Sequence, residues 1–334
     1  MIPATPEGDP ASVGGRPPRV TVLYVIAYGR SGSTILGNIL GELEDVVHVG
    51  ELRSLWGLGL LGRRVCGCGV PLASCEFWRS VVKAGPAAPD AGDFDPREAR
   101  RLQIEAVRLR TTRSVLRLGG RLEDAPPELR AYAPLADRLY RGISEVTGAR
   151  VVVDTSKHVP DAALLTVLPN VDPYFVHLVR DPRAVAYSWR RVMRSPGEGR
   201  REEMPRHGAF TSGRSWLVSN LGAAAVRRAA GPGRSLMIRY EDFVVRPREF
   251  SERIIDLIGG TSGTLPFVDD HTVRLGGNHT AGGNPARLVD GATRIRLDDE
   301  WRSEQRAGSR FVATAFGLPL LHRYGYPLVA GRRR

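Results

Sequence analysis

A buried strand that runs through a glycine-rich loop into a helix is the feature that most constrains this chain. Residues Val20–Ala27 are almost all β-branched or apolar, too few to cross a membrane and suited to a strand buried on both faces. The loop that follows reads Gly29-Arg30-Ser31-Gly32-Ser33-Thr34, and apolar residues then recur at helical spacing over residues 35–43. Such a unit presents backbone N–H groups at the positive end of the helix dipole, so the sequence predicts an anion site.

The loop lacks the lysine of a nucleoside-triphosphate loop, because the residue after Gly32 is Ser33 and its cation is instead Arg30. Gly29-Arg30-Ser31-Gly32-Ser33-Thr34 resembles the 5′-phosphosulfate loop of the sulfotransferases that use 3′-phosphoadenosine 5′-phosphosulfate (PAPS), in their carbohydrate and tyrosylprotein branch. The resemblance implies that all six residues bind PAPS. On this loop alone, an ordinary glycine-rich turn is an alternative interpretation.

A second motif lies about 150 residues further along, Arg180-Asp181-Pro182-Arg183-Ala184-Val185-Ala186-Tyr187-Ser188-Trp189. Asp181 and Pro182 suit the N-cap and first position of a helix that follows a predicted strand. An arginine at the strand end and a serine on the helix can converge on one phosphate. The stretch closely resembles the 3′-phosphate motif of the same family, which implies that Arg180 and Ser188 bind the 3′-phosphate. A merely capped helix start would not predict a second anion motif at another strand end.

Three further residues receive roles from the resemblance. Glu51, shortly after the first helix, matches the family's general base, and a positioned carboxylate can take the proton of an attacking hydroxyl. His48 is the rival base, and a solvated loop carboxylate is the plain alternative for Glu51. Lys157 matches a catalytic lysine of the tyrosylprotein branch. Arg287, in a segment that also includes Trp301, matches more loosely a further phosphate ligand, with a plain loop as the alternative.

Predicted strands alternate with helices along the chain, which is typical of an α/β fold with ligands at the carboxyl ends of parallel strands. We expect a P-loop-like three-layer α/β/α architecture with a central parallel sheet. Residues 1–18 are expected to be a disordered lead-in and residues 19–330 a single domain. A helical insertion over about residues 70–148 should cover the sheet and contribute to the acceptor pocket.

The charge and composition of the chain indicate which partners and which location to expect. A net charge of +12 favours anionic ligands, but only Lys83 and Lys157 are lysines, and no basic run is interleaved with aromatic residues. We therefore expect no nucleic-acid partner. The N-terminal residues lack the pattern of a secretory signal, and no apolar stretch approaches the ~20 residues of a membrane helix, so a cytoplasmic location without membrane insertion is expected. The sequence does not indicate an oligomeric state.

Cys66, Cys68 and Cys75 lie close together in the sequence. Reduced structural thiols are the favoured interpretation, with a metal site or a disulfide as alternatives. A structural zinc site needs four ligands, and the nearest plausible fourth ligand in the sequence is His48. An odd number of cysteines argues against a disulfide framework.

Together these features predict a PAPS-dependent sulfotransferase that acts on a hydroxyl or amine of a small-molecule or glycan acceptor, such as a glycan, glycolipid or secondary metabolite. Glu51 is expected to take the acceptor's proton, while Lys157 and Arg30 stabilise charge on the leaving nucleotide, with no metal ion required. The alternatives are a P-loop-type nucleotide kinase or NTPase, and a non-catalytic nucleotide- or polyanion-binding protein.

Overall fold

Five parallel strands form the central sheet. The computed structural model of the protein describes residues 19–84, 95–197 and 200–329, so the predicted N-terminal lead-in lies outside the described residues. The five strands of the sheet are β1 Val20–Ala27, β2 Val46–Gly50, β3 Val151–Lys157, β4 Val171–Val179 and β7 Ser235–Arg239. They lie side by side in the order β2-β3-β1-β4-β7. Two antiparallel hairpins add β5 Arg194–Gly197 with β6 Arg200–Glu203, and β8 Thr272–Leu275 with β9 Gly291–Arg294.

Helices connect the strands and flank the sheet. In chain order they are α1 Ser33–Leu40, α2 Glu76–Lys83, α3 Pro96–Ala106, α4 Thr112–Arg117, α5 Pro127–Thr147, α6 Val159–Leu165, α7 Pro182–Arg190, α8 Ala209–Ala230, α9 Tyr240–Val245, α10 Pro247–Leu257, α11 Trp301–Glu304 and α12 Ala307–Leu321. After β2 the chain forms a 3₁₀ turn, Leu52–Ser54, and a π-helical turn, Leu55–Leu60. No helix within the described ranges is both long and apolar enough to cross a membrane.

Both faces of the sheet are covered, which follows from the alternation of side chains along each strand. On β1, Val22, Tyr24 and Ile26 belong to the apolar cluster that contains α5, α6 and part of α8. Leu23 and Val25 belong to the opposite cluster, with α1, α9 and α10. The predicted three-layer α/β/α architecture with a parallel sheet is confirmed.

The helical region between β2 and β3 has mainly a packing role. Helix α5 buries one face against β1 and β3, and the chain before it forms two separate helices, α3 and α4, with a break that begins at Val107. Of the described residues from 52 to 150, only Leu109 lines the large cavity described below. The contribution of this region to an acceptor pocket stays a prediction. Met193 and Met204, on either side of the hairpin β5–β6, and four residues of helix α8 also line the cavity.

Candidate active site

The glycine-rich loop leads from β1 into α1 as the sequence predicts. Gly32 is the N-cap of α1 with φ +89°, and a Cβ there would lie 2.6 Å from the Tyr240 ring, so only glycine fits. Because glycine has no side chain to cap the helix, the N–H groups of the first turn are available to an anion. The Ser31 hydroxyl instead donates to the Tyr28 carbonyl at 2.7 Å, which closes the loop on itself.

Two bulges at the carboxyl edge of the sheet aim the next functional groups. Between β1 and β3 the pairing passes from Tyr24–Asp154 to Ile26–Lys157, so β3 contains one extra residue. Lys157 has φ +71°, an unusual backbone conformation for a non-glycine residue. A second irregularity falls in β2, immediately before Glu51. Bulges of this kind bend a strand and redirect its side chains.

The two redirected side chains meet. Lys157 Nζ lies 2.5 Å from Glu51 Oε1 and also donates to the Thr155 carbonyl at 2.8 Å. Below them, buried Asp154 accepts hydrogen bonds from the backbone N–H of Ser156 at 2.7 Å and from the Tyr140 hydroxyl at 2.7 Å. Burial raises the pKa of Asp154 to about 6. This network holds the bulged segment in place beneath the ion pair.

Arg180 lies at the end of β4, and Ser188 lies on α7. Asp181 caps α7 by accepting from the Arg183 N–H at 2.9 Å, as predicted. Arg180 is 5% exposed and donates to the carbonyls of Arg30 and Asp298 at 2.8 and 2.7 Å. Its guanidinium lies 4.4 Å from the centroid of the Tyr240 ring. Its Nε is buried without an acceptor among the described residues, so one N–H remains for a ligand.

Arg30 extends across the loop towards the hairpin. Its guanidinium stacks on Trp189, 4.9 Å from the ring centroid, and approaches the sulfur atoms of Met193 and Met204. Burial lowers the pKa of this guanidinium. The loop also packs tightly here, because a Cβ at Gly29 would lie 2.7 Å from Trp189.

One cavity of about 680 Å³ joins these groups. Its lining includes five cationic side chains, Arg30, Lys157, Arg180, Arg191 and Arg214, and two carboxylates, Glu51 and Asp298. Gly29, Gly32, Ser33, Thr34 and Ser188 also line it, and its apolar wall includes Leu109, Val159, Pro160 and Val218. A cavity with this excess of positive charge, on a helix N-terminus, favours a polyanionic ligand.

Two sequence candidates lie elsewhere. His48 is buried, contacts Asn38 Oδ1 and Thr155 Oγ1 at 3.1 Å each, and does not line the cavity. Burial lowers its pKa to about 3, so it stays neutral in the core. Arg287 is also outside the cavity lining and fully buried, and its guanidinium donates to the Val65 carbonyl at 2.7 Å.

Sequence reasoning missed several residues that line the cavity. Tyr240 directly follows β7, so the rule that ligands bind at the carboxyl ends of parallel strands could have identified it. Trp189 lies within the second motif but had received no role. Asp298 and Arg191, which form an ion pair at 3.0 Å, come from segments without a recognisable local pattern.

Comparison with known proteins identifies the family to which this chain belongs. A profile described as the sulfotransferase family matches residues 23–261 of this chain. The chain belongs to the sulfotransferase family. This sulfotransferase has no match among curated proteins.

Solved structures of similar fold are also sulfotransferases. The sulfotransferase domain of the Synechococcus PCC 7002 olefin synthase superposes with a TM-score of 0.52 at 19% identity, covering 95% of this chain and 99% of that one. The sulfotransferase domain from the curacin biosynthetic pathway gives a TM-score of 0.47 at 16% identity, covering 94% of this chain and all of that one (100%). At these identities the likeness concerns the fold.

Proposed function

We propose that this sulfotransferase uses PAPS as donor and transfers its sulfuryl group to a hydroxyl or amine of an acceptor. The observation that supports this best is the placement of the Glu51–Lys157 pair in the same cavity as the anion-binding loop and Arg180. PAPS requires two anion sites, one for its phosphosulfate and one for its 3′-phosphate, and the acceptor requires a group that takes its proton. The described cavity offers that combination.

Each residue has a defined task in this proposal. The N-terminal N–H groups of α1, with Ser33 and Thr34, hold the 5′-phosphosulfate, and Arg180 with Ser188 holds the 3′-phosphate. The acceptor oxygen attacks sulfur in line, the bond from sulfur to the bridging oxygen breaks, and 3′-phosphoadenosine 5′-phosphate leaves. Glu51 takes the acceptor's proton, while Lys157 and Arg30 stabilise the negative charge on the departing oxygen.

The residues that line the cavity favour one class of acceptor. Apolar side chains from α6, α8 and the region before α4 line it beside the cationic groups. An acceptor with an apolar portion, such as a glycolipid or secondary metabolite, suits this wall better than a polyanionic glycan, because burial of apolar surface contributes to binding.

Calorimetric titration with 3′-phosphoadenosine 5′-phosphate, beside ATP and AMP, tests the cofactor assignment. The wild type should bind the 3′-phosphorylated nucleotide selectively, and Arg180→Ala should lose that selectivity. Arg190→Ala is the matched control, because Arg190 lies on α7 but is exposed and outside the cavity. Equal or tighter binding of ATP would instead support a nucleotide kinase. Selective binding with no transfer to a broad acceptor panel would support a non-catalytic binding protein.

A further inference from the structure

Three cysteines and one histidine converge away from the cavity. Cys66, Cys68 and Cys75 lie between β2 and α2, and His279 lies more than 200 residues later, in the segment after β8. The sulfur atoms and one imidazole nitrogen all lie within 4.8 Å of one another. None of the four residues lines the proposed active site. All three cysteines are free thiols.

Three of the six distances between these atoms match those of a tetrahedral zinc site, and all six are within 4.8 Å. With Zn–S bonds of about 2.3 Å and Zn–N bonds of about 2.0–2.1 Å, ligand sulfurs lie about 3.8 Å apart and a sulfur and a nitrogen about 3.5 Å apart. The Sγ atoms of Cys68 and Cys75 are 3.7 Å apart. His279 Nδ1 is 3.6 Å from Cys66 Sγ and 3.4 Å from Cys75 Sγ.

The imidazole is held so that Nδ1 faces the thiols. Its ring stacks on Phe77, with centroids 4.8 Å apart and planes inclined by 15°. Cys66 and Cys75 are buried, whereas Cys68 and His279 are exposed, so the cluster lies at the surface with one side in the core. Four protein ligands leave no open position, which is typical of a structural site.

We propose that Cys66, Cys68, Cys75 and His279 bind one structural Zn²⁺ ion. The set of three sulfurs and one imidazole suits zinc, and a Cys₃His set is a recurrent structural zinc site. The ion would join the segment after β2 to the segment after β8, two parts of the chain that the sheet itself does not connect.

The two segments that the zinc ion would join are hydrogen-bonded to the backbone around Glu51, the proposed base. Gly67 N–H donates to the Thr280 carbonyl at 3.1 Å, and Arg287 ties the same region to the Val65 carbonyl. Two residues beyond Thr280, the Gly282 carbonyl accepts from the Glu51 N–H at 3.1 Å. Zinc at this cluster would therefore fix the backbone on which Glu51 stands, without taking part in the transfer.

Metal analysis of the full chain, purified with a non-chelating reductant, tests the proposal. Elemental analysis should find about one zinc per chain, because a closed four-ligand site binds a single ion. Replacement by Co²⁺ should give the intense visible bands of a tetrahedral site and a thiolate charge-transfer band in the near ultraviolet. All three thiols should resist a thiol reagent until a strong chelator is added. Wild-type protein without stoichiometric zinc or this cobalt spectrum, or with iron instead, would overturn the proposal.

Variants test the ligand set. His279→Ala and Cys75→Ser should lose most of the bound zinc, whereas His279→Cys should retain it, since four cysteines also form a structural zinc site. His322→Ala, at an exposed histidine outside the cluster, is the control and should match the wild type. Zinc content unchanged in His279→Ala would show that the fourth ligand is assigned wrongly. If Cys75→Ser does not fold, the wild-type metal content and cobalt spectrum still decide the proposal.

Discussion

Lys157 Nζ and Glu51 Oε1 lie 2.5 Å apart, although the two residues are separated by more than 100 positions in the chain. Each stands immediately beyond an irregularity in its strand pairing, one in β3 and one in β2. The proposed base and the cation proposed to assist the leaving group are thus positioned by bulges at the same edge of the sheet. This pair connects the fold to the proposed chemistry.

Replacing Glu51 with glutamine should remove the proton acceptor while keeping the shape of the side chain. We expect kcat for sulfuryl transfer to fall by about 10²–10⁴-fold, the usual contribution of general base catalysis. Affinity for 3′-phosphoadenosine 5′-phosphate should stay nearly unchanged, because the proposed nucleotide ligands remain. Single-turnover transfer assays and calorimetry measure the two quantities. Glu145→Gln, on the exposed side of α5, is the matched control. Near-wild-type turnover in Glu51→Gln would leave Glu51 with a structural role only.

Lys157 combines a functional ammonium group with a left-handed backbone, at φ +71°. Lys157→Ala and Lys157→Gly both remove the amine, so kcat should fall by about 10²–10³-fold in each, as for other preorganised electrostatic groups. Their stabilities should differ. Glycine adopts this conformation without steric cost, so Lys157→Gly should have a free energy of unfolding about 1 kcal/mol above that of Lys157→Ala. Denaturant titration measures this difference, and equal stabilities would show that position 157 is not strained.

His48 should affect the pH dependence of stability and leave turnover intact. In the folded protein the pKa of His48 is about 3, below its ordinary value of 6.5. Between pH 6.5 and pH 3, the imidazole is therefore protonated in the unfolded chain but neutral in the folded protein. The stability contribution is therefore present above pH 6.5 and decreases as the pH falls towards 3. At about pH 5 the loss amounts to about 2 kcal/mol.

His48→Gln removes the titrating imidazole. Between neutral pH and about pH 5, the free energy of unfolding of the variant should therefore decrease by about 2 kcal/mol less than that of the wild type. His177, whose pKa burial lowers to about 4, and Asp154 titrate in both proteins and cancel in the comparison. Urea titrations at the two pH values measure the difference, and an identical pH dependence would contradict a neutral buried His48. Loss of turnover in a folded His48→Gln variant would contradict a purely structural role for His48.

Ser188 should contribute to binding only when the nucleotide has a 3′-phosphate. Ser188→Ala should weaken binding of 3′-phosphoadenosine 5′-phosphate by about 1.5–3 kcal/mol, the range for a hydrogen bond to a charged group. Binding of AMP should stay the same in both proteins. The cycle of two proteins and two nucleotides isolates this contact. An equal loss for both nucleotides would place Ser188 away from the 3′-phosphate.

Local patterns in the sequence were enough to predict the main elements. The strand Val20–Ala27 was predicted with the bounds that the structure shows, and the glycine-rich loop after it leads into a helix as predicted, although the helix begins at Ser33, two residues earlier than expected. Alternating strands and helices predicted the parallel sheet, and both anion motifs fall at its carboxyl edge. These signals work because hydrophobic periodicity and cap chemistry act over a few neighbouring residues.

The remaining features depend on contacts between distant segments. The hairpins β5–β6 and β8–β9 have weak local patterns, and the bulges that aim Glu51 and Lys157 exist only once β2, β3 and β1 are paired. His279 reaches the three cysteines only after the segment beyond β8 has folded back over the end of β2.

The sequence by itself therefore determined the fold class, the two anion motifs and the residue types available for chemistry. The tertiary structure decided which of those residues meet: Glu51 with Lys157 in the cavity, His48 and Arg287 in the interior, and His279 with the cysteines. The physical reason is that strand order and register minimise exposed apolar surface over the whole sheet, a quantity that no short stretch of sequence contains.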